Sequence, residues 1–177
     1  MKKNPTYYLV ASGLLIGLSV VLTRVFSVNL LIAGVPASRL SIGYVPIMLA
    51  GILLGPAWGF GVGVLADVVG FLLFPSGTFF PPITLTSGLV GVLPWLLLRM
   101  TDKWPQWLKV LAAVALTQML CSVCLQTYWL SLLMGKGYFA LLLPRAVVTL
   151  VTIPVYYVLI QSVLGSLKKA RLLPARL

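Results

Sequence analysis

The sequence holds only two acidic side chains, Asp67 and Asp102, and no histidine. Asp102 sits in a basic loop. Asp67 lies within an apolar stretch of membrane length, where a carboxylate costs about 2.5–3.5 kcal/mol to insert and is therefore placed for a partner or a ligand. Arg24 and Arg145 fall in similar apolar stretches, and Arg39 stands at the edge of another. A guanidinium fork matches a carboxylate bidentately, and a carboxylate accepts from a ligand edge with adjacent N–H donors. The chemistry these residues support is recognition of a ligand that carries both. Phe79, Phe80, Tyr128 and Trp129 can stack on a flat ring. Thr84, Thr86, Ser87, Asn29 and Gln126 add hydrogen-bonding capacity. An internal Asp67–arginine pair that only fixes helix packing is the alternative. The surplus of arginine over aspartate favours an anionic ligand.

Catalysis finds little support. With no histidine base and no second intramembrane carboxylate, general acid–base work lacks its groups. The serines and threonines have no activating neighbour. Cys121 and Cys124 form a CxxC, but two thiols without histidine are too few for a structural zinc site, so they read as small buried hydrophobes. Gly59-Phe-Gly61-Val-Gly63 lacks the rest of a nucleotide-binding fingerprint and reads as helix packing. No enzyme activity, metal or cofactor is expected.

The elements that position these residues follow from composition. At 60% hydrophobic and 8% charged residues, with a mean hydropathy of +1.09, the chain is an integral membrane protein. The first apolar stretch reads as a retained span and not a signal peptide. Six spans fit the pattern: Tyr7–Phe26, Leu40–Leu54, Ala57–Phe74, Pro82–Leu98, Val110–Leu133 and Tyr138–Leu164. The expected fold is an all-α bundle of six transmembrane helices in a single domain over 1–177, with short basic ends at 1–6 and 165–177. With both termini inside, nine lysines and arginines outside the spans lie on the cytoplasmic side, against Arg39 and Lys136 outside. That asymmetry puts both termini in the cytoplasm and accounts for the net charge of +11 without nucleic acid.

At about 1.5 Å per residue, Arg24, Asp67 and Arg145 then fall in the outer half of the bilayer, with Arg39 near them. Gly55, Gly59, Gly63 and Asp67 recur every four residues, followed by Gly70, and form one helix face that turns Asp67 into the bundle. In the first span Gly13 and Gly17, extended by Ala11 and Ser12, make a second small-residue surface. It serves either internal packing or docking of another membrane subunit.

The run Gly55–Gly77, with Asp67 and Gly70 inside it, resembles the third-span signature of the folate-specific substrate-binding (S) components of energy-coupling factor (ECF) vitamin transporters. Arg39–Gly51 is similar to their second span, and Phe80–Ser87 to the start of their fourth. The resemblance is strong from Arg39 to about Gly91, weaker in the first span and largely topological after Arg99. It implies a multi-pass protein of a prokaryotic cell membrane that captures a vitamin outside and has no ATPase of its own. It further implies docking through the first span on an EcfT-like transmembrane coupling protein carried by two cytoplasmic ATPases. The loops at roughly Ser27–Arg39 and Pro75–Pro81 would cover the substrate. With folate as ligand, Asp67 would read the pterin edge, and Arg24, Arg39 and Arg145 the glutamate carboxylates. An S component for pantothenate or a queuosine precursor, or a membrane scaffold, are the other readings.

Overall fold

The apolar stretches fold as helices, the form in which a chain in lipid satisfies its own backbone hydrogen bonds. The computed structural model describes residues 5–24, 28–32, 35–40, 42–75, 80–101, 104–135 and 137–169. Helix α1 (Pro5–Arg24) leads into an antiparallel hairpin of β1 (Val28–Ile32) and β2 (Val35–Leu40). Then come α2 (Tyr44–Leu54), α3 (Pro56–Leu73) and α4 (Pro81–Met100). Helix α5 (Gln106–Thr117) continues through a π-helical segment (Gln118–Leu125) into α6 (Gln126–Met134), and α7 (Tyr138–Lys169) follows. Among the described residues, five helical stretches are long and apolar enough to cross a membrane: α1, α3, α4, the α5–α6 run and α7.

The expected second span, Leu40–Leu54, is different. Only Tyr44–Leu54 is helical, 11 residues long, which spans about 16 Å at the helical rise, roughly half a bilayer core. Its first residues are used elsewhere: Leu40 ends β2, where it pairs with Val28. The hydroxyl of Ser19 on α1 donates to the Gly43 carbonyl at 2.8 Å and pins the start of α2. The short helix is apolar all round and almost wholly buried, as suits an element packed among α1, α3 and α4 and touching α7.

Glycines bring α2, α3 and α4 together. Gly55 has φ 103° at the turn between α2 and α3, and Pro56 opens α3. A Cβ added to Gly51 would fall on the Gly91 carbonyl, and one on Gly91 would fall on that of Gly59. Gly63 lies in the same way against the Ser87 backbone. The face expected from the four-residue glycine spacing is thus an interface where backbones touch, the close packing that small residues permit in lipid.

The two ends of the bundle differ. At one end the hairpin rests against α7 through β2. At the other, Tyr8 of α1 stacks on Trp58 of α3 with ring centroids 5.8 Å apart, and Lys168 of α7 donates to Gln106 of α5 at 3.2 Å. Large apolar side chains such as Leu14, Leu72, Phe139 and Leu150 point outward along the sides, as lipid requires. Phe79, Asp102 and Lys136 lie outside the described residues.

Candidate ligand-binding site

The site lies at the hairpin end. On the α3 side, Asp67 is half-buried on the glycine face, and its Oδ2 accepts a 2.7 Å hydrogen bond from Thr84 Oγ1 of α4. The contact follows from the glycines. Gly63, one turn before Asp67, lets α4 approach at Ser87, which brings Thr84, one turn earlier on α4, level with the carboxylate. Among the described side chains the partner of Asp67 is Thr84 and not Arg24 or Arg145. Arg24, at the end of α1, lies across Gly70: a Cβ there would stand 3.2 Å from its Nε. Its Nη1 donates to the Phe74 carbonyl at 3.4 Å.

On the α7 side, Arg145 is 7% exposed. Its Nη2 donates to Gln126 Oε1 at 3.4 Å, and Gln126 Nε2 donates to the Tyr44 hydroxyl at 3.1 Å. The Nε and Nη1 groups of Arg145 are buried without a hydrogen-bond partner among the described residues. A buried guanidinium with unused donors is expensive unless an acceptor arrives to meet them. Tyr44, the first residue of α2, is within electrostatic reach of both Asp67 and Arg145. It joins the two sides. Sequence reasoning passed over this tyrosine; its signal was its place at the head of the second apolar stretch, just after Gly43.

The remaining candidates divide. Phe80, at the start of α4, stands 6.1 Å from Trp129 of α6, whose ring meets Tyr128 edge-on at 5.1 Å. Tyr128 itself is 51% exposed. Ser87 and Thr86 are buried and donate to the carbonyls of Ile83 and Pro82, one turn back in α4. Arg39 pairs with Asn29 in the hairpin register, and nothing is described of either side chain; Phe79 lies outside the described residues. Cys121 is buried, whereas Cys124 on the same segment is exposed.

Gly13 and Gly17 of α1 open outward, with nothing near an added Cβ. Ser12 turns inward and donates to the Tyr8 carbonyl. Ala11 lines an apolar cleft of about 520 Å³ between α1 and α2, with Tyr7, Val10, Leu14, Leu15 and Leu53.

Over residues 7–164 the chain matches the family described as ECF transporter, substrate-specific component. The chain belongs to this family. Among curated proteins, this S component is 30% identical to the folate transporter FolT of Clostridium novyi (strain NT) over 148 residues, 84% of this chain and 82% of that one. It is 25% identical to the folate transporter FolT of Leuconostoc mesenteroides across 94% of this chain and 92% of its relative. Among solved structures it is similar to the crystal structure of FolT bound with folic acid. The TM-score is 0.73 at 30% identity, covering 88% of this chain and 90% of the other. The resemblance read from Arg39–Gly91 therefore holds across the S component as a whole. Its relatives are transport components and not enzymes.

Proposed function

We propose that this S component binds folate at the hairpin end of the bundle and serves as the capture subunit of an importer. The observation that carries the reading is its likeness, at 30% identity over 88% of the chain, to a protein whose crystal structure holds folic acid. The site chemistry supports it. Asp67 offers an acceptor to the pterin edge, whose amino group and ring N–H are adjacent donors. Arg145, with Arg24 and Arg39, offers donors to the two carboxylates of the glutamate tail. Phe80 and Trp129 supply aromatic surface near the start of α4. Phe79, Thr84, Ser87 and Tyr128 complete the proposed lining, with Thr84 acting through Asp67.

The distribution of lysine and arginine supports placing the hairpin end outside the cell and both termini in the cytoplasm. The protein then resides in a prokaryotic cell membrane, with α2 as a sixth, half-length embedded helix. Binding is of high affinity and requires no cofactor. The open glycines of α1 and the apolar cleft beside Ala11 support docking there of a transmembrane coupling protein, whose two ATPase partners hydrolyse ATP and drive release inward. Mass spectrometry of the small molecule retained through purification, followed by folate titration calorimetry, tests the reading. Retention of folate and tight titration are expected. A folded protein that carries no folate and shows no heat on titration refutes it.

A further inference from the structure

We infer that Gln126 is a positioning residue that sets the polarity of the ligand site, acting through Arg145 and Tyr44. The inference rests on the folate-site reading above and deepens it. An arginine side chain only donates hydrogen bonds, so the amide face that meets Arg145 must be its oxygen. That choice turns the amide nitrogen toward Tyr44, whose hydroxyl oxygen becomes an acceptor. The single hydroxyl hydrogen of Tyr44 is then directed away from Gln126. One amide orientation thereby fixes two neighbours. Among the described residues Arg145 keeps Nε and Nη1 unused and Tyr44 keeps its O–H, so this side offers three donor groups. Asp67, within electrostatic reach of Tyr44, offers only acceptors. A ligand with an anionic tail and a donor-bearing ring edge fits one way round and not the other.

The position of Gln126 has its own structural cause. It is the first residue after the π-helical segment, where the wider turn gives way to α6, and that segment packs against α7. Among the described residues, the titratable and charged groups around it are Arg145 from α7, Tyr44 from α2 and Cys121 from the π-helical segment, with Asp67 from α3 and Tyr156 from α7 beyond Tyr44.

Folate and pteroate, which lacks the glutamate, distinguish this role from a general structural one when their dissociation constants are measured on Gln126→Glu and Gln126→Leu. The glutamate variant is isosteric, but its carboxylate accepts from both Arg145 and Tyr44 and draws their donors inward. Folate affinity is expected to fall roughly tenfold or more at neutral pH and to recover as the new carboxyl protonates in acid, with wild type lacking this recovery. The leucine variant is expected to lose a similar factor with no such pH response. In both, pteroate should lose less than folate. A partly misfolded preparation lowers the binding stoichiometry and leaves this ratio of affinities unchanged. Wild-type affinity and pH profile in Gln126→Glu, or equal loss of folate and pteroate, would overturn the positioning role. Failure of the wild-type protein to bind folate would instead overturn the underlying reading.

Discussion

Thr84 of α4 donates to one carboxylate oxygen of Asp67 on α3, across the interface that Gly63 makes close. The bond holds the carboxylate in one orientation and leaves the other oxygen for a ligand. A hydrogen bond to a charged group contributes about 1.5–3 kcal/mol. Asp67→Asn, which removes the charge and converts an acceptor into a donor, should therefore weaken folate binding about a hundredfold. Thr84→Val, which removes only the orienting bond, should weaken it about tenfold. Titration calorimetry on the two folded variants checks the order; unchanged affinity in Asp67→Asn would sink the assignment.

Arg145 predicts a trade between stability and function. Its buried Nε and Nη1 lack partners among the described residues. Replacing it by methionine removes a desolvated charge while keeping much of the volume. Arg145→Met should melt higher without ligand, by about 1 kcal/mol or more of stability, yet bind folate far less tightly and show a smaller loss with pteroate. A variant that melts lower and binds folate normally would show that the guanidinium serves the fold.

The glycines of α3 are not equivalent. Gly59→Ala drives a methyl into the Gly51 and Gly91 backbones, which cannot rotate aside, and should destabilise by about 1–3 kcal/mol. Gly61→Ala, in the same helix but with nothing within 4 Å of the new carbon, should be neutral or stabilising by up to about 1 kcal/mol. Thermal melts in one detergent compare them directly.

These glycines were also the most legible part of the fold. Their spacing announced which face of α3 turns inward and so where Asp67 points. The partner of Asp67 was not legible: an arginine was the expected partner and Thr84 stood only among the groups offered to the ligand, because the pairing depends on how far α4 slides along α3. The hairpin was not legible. Val28–Ile32 is apolar but for Asn29, and Val35–Leu40 ends just before the apolar helix that opens at Tyr44, so hydropathy alone gives no boundary between strand and helix. That same blur extended the second span back to Leu40 and hid Tyr44 as a helix-opening residue. The π-helical turn left no trace either, because one extra residue per turn within an apolar run does not disturb its hydropathy.

Docking should be separable from binding. Gly13→Leu and Gly17→Leu add bulk to an outward surface of α1, where nothing lies within 4 Å of an added Cβ. Folate affinity should stay within about twofold of wild type, while uptake into cells expressing the coupling and ATPase subunits, and co-purification with them, should fall at least about tenfold. Equal uptake by the variants would move the docking surface elsewhere.

Where α2, α3 and α4 touch at Gly51, Gly59 and Gly91, there are no rotamers to reshuffle, so Asp67 and Thr84 ride on a stiff block. Arg145 has no such backbone contact; among the described residues one 3.4 Å bond to an amide holds it. Conformational freedom is thus unevenly distributed before the ligand arrives, and the entropy surrendered on capture is drawn from the arginine side. In calorimetric terms, a ligand stripped of its anionic tail would bind with less favourable enthalpy but with a smaller entropic penalty.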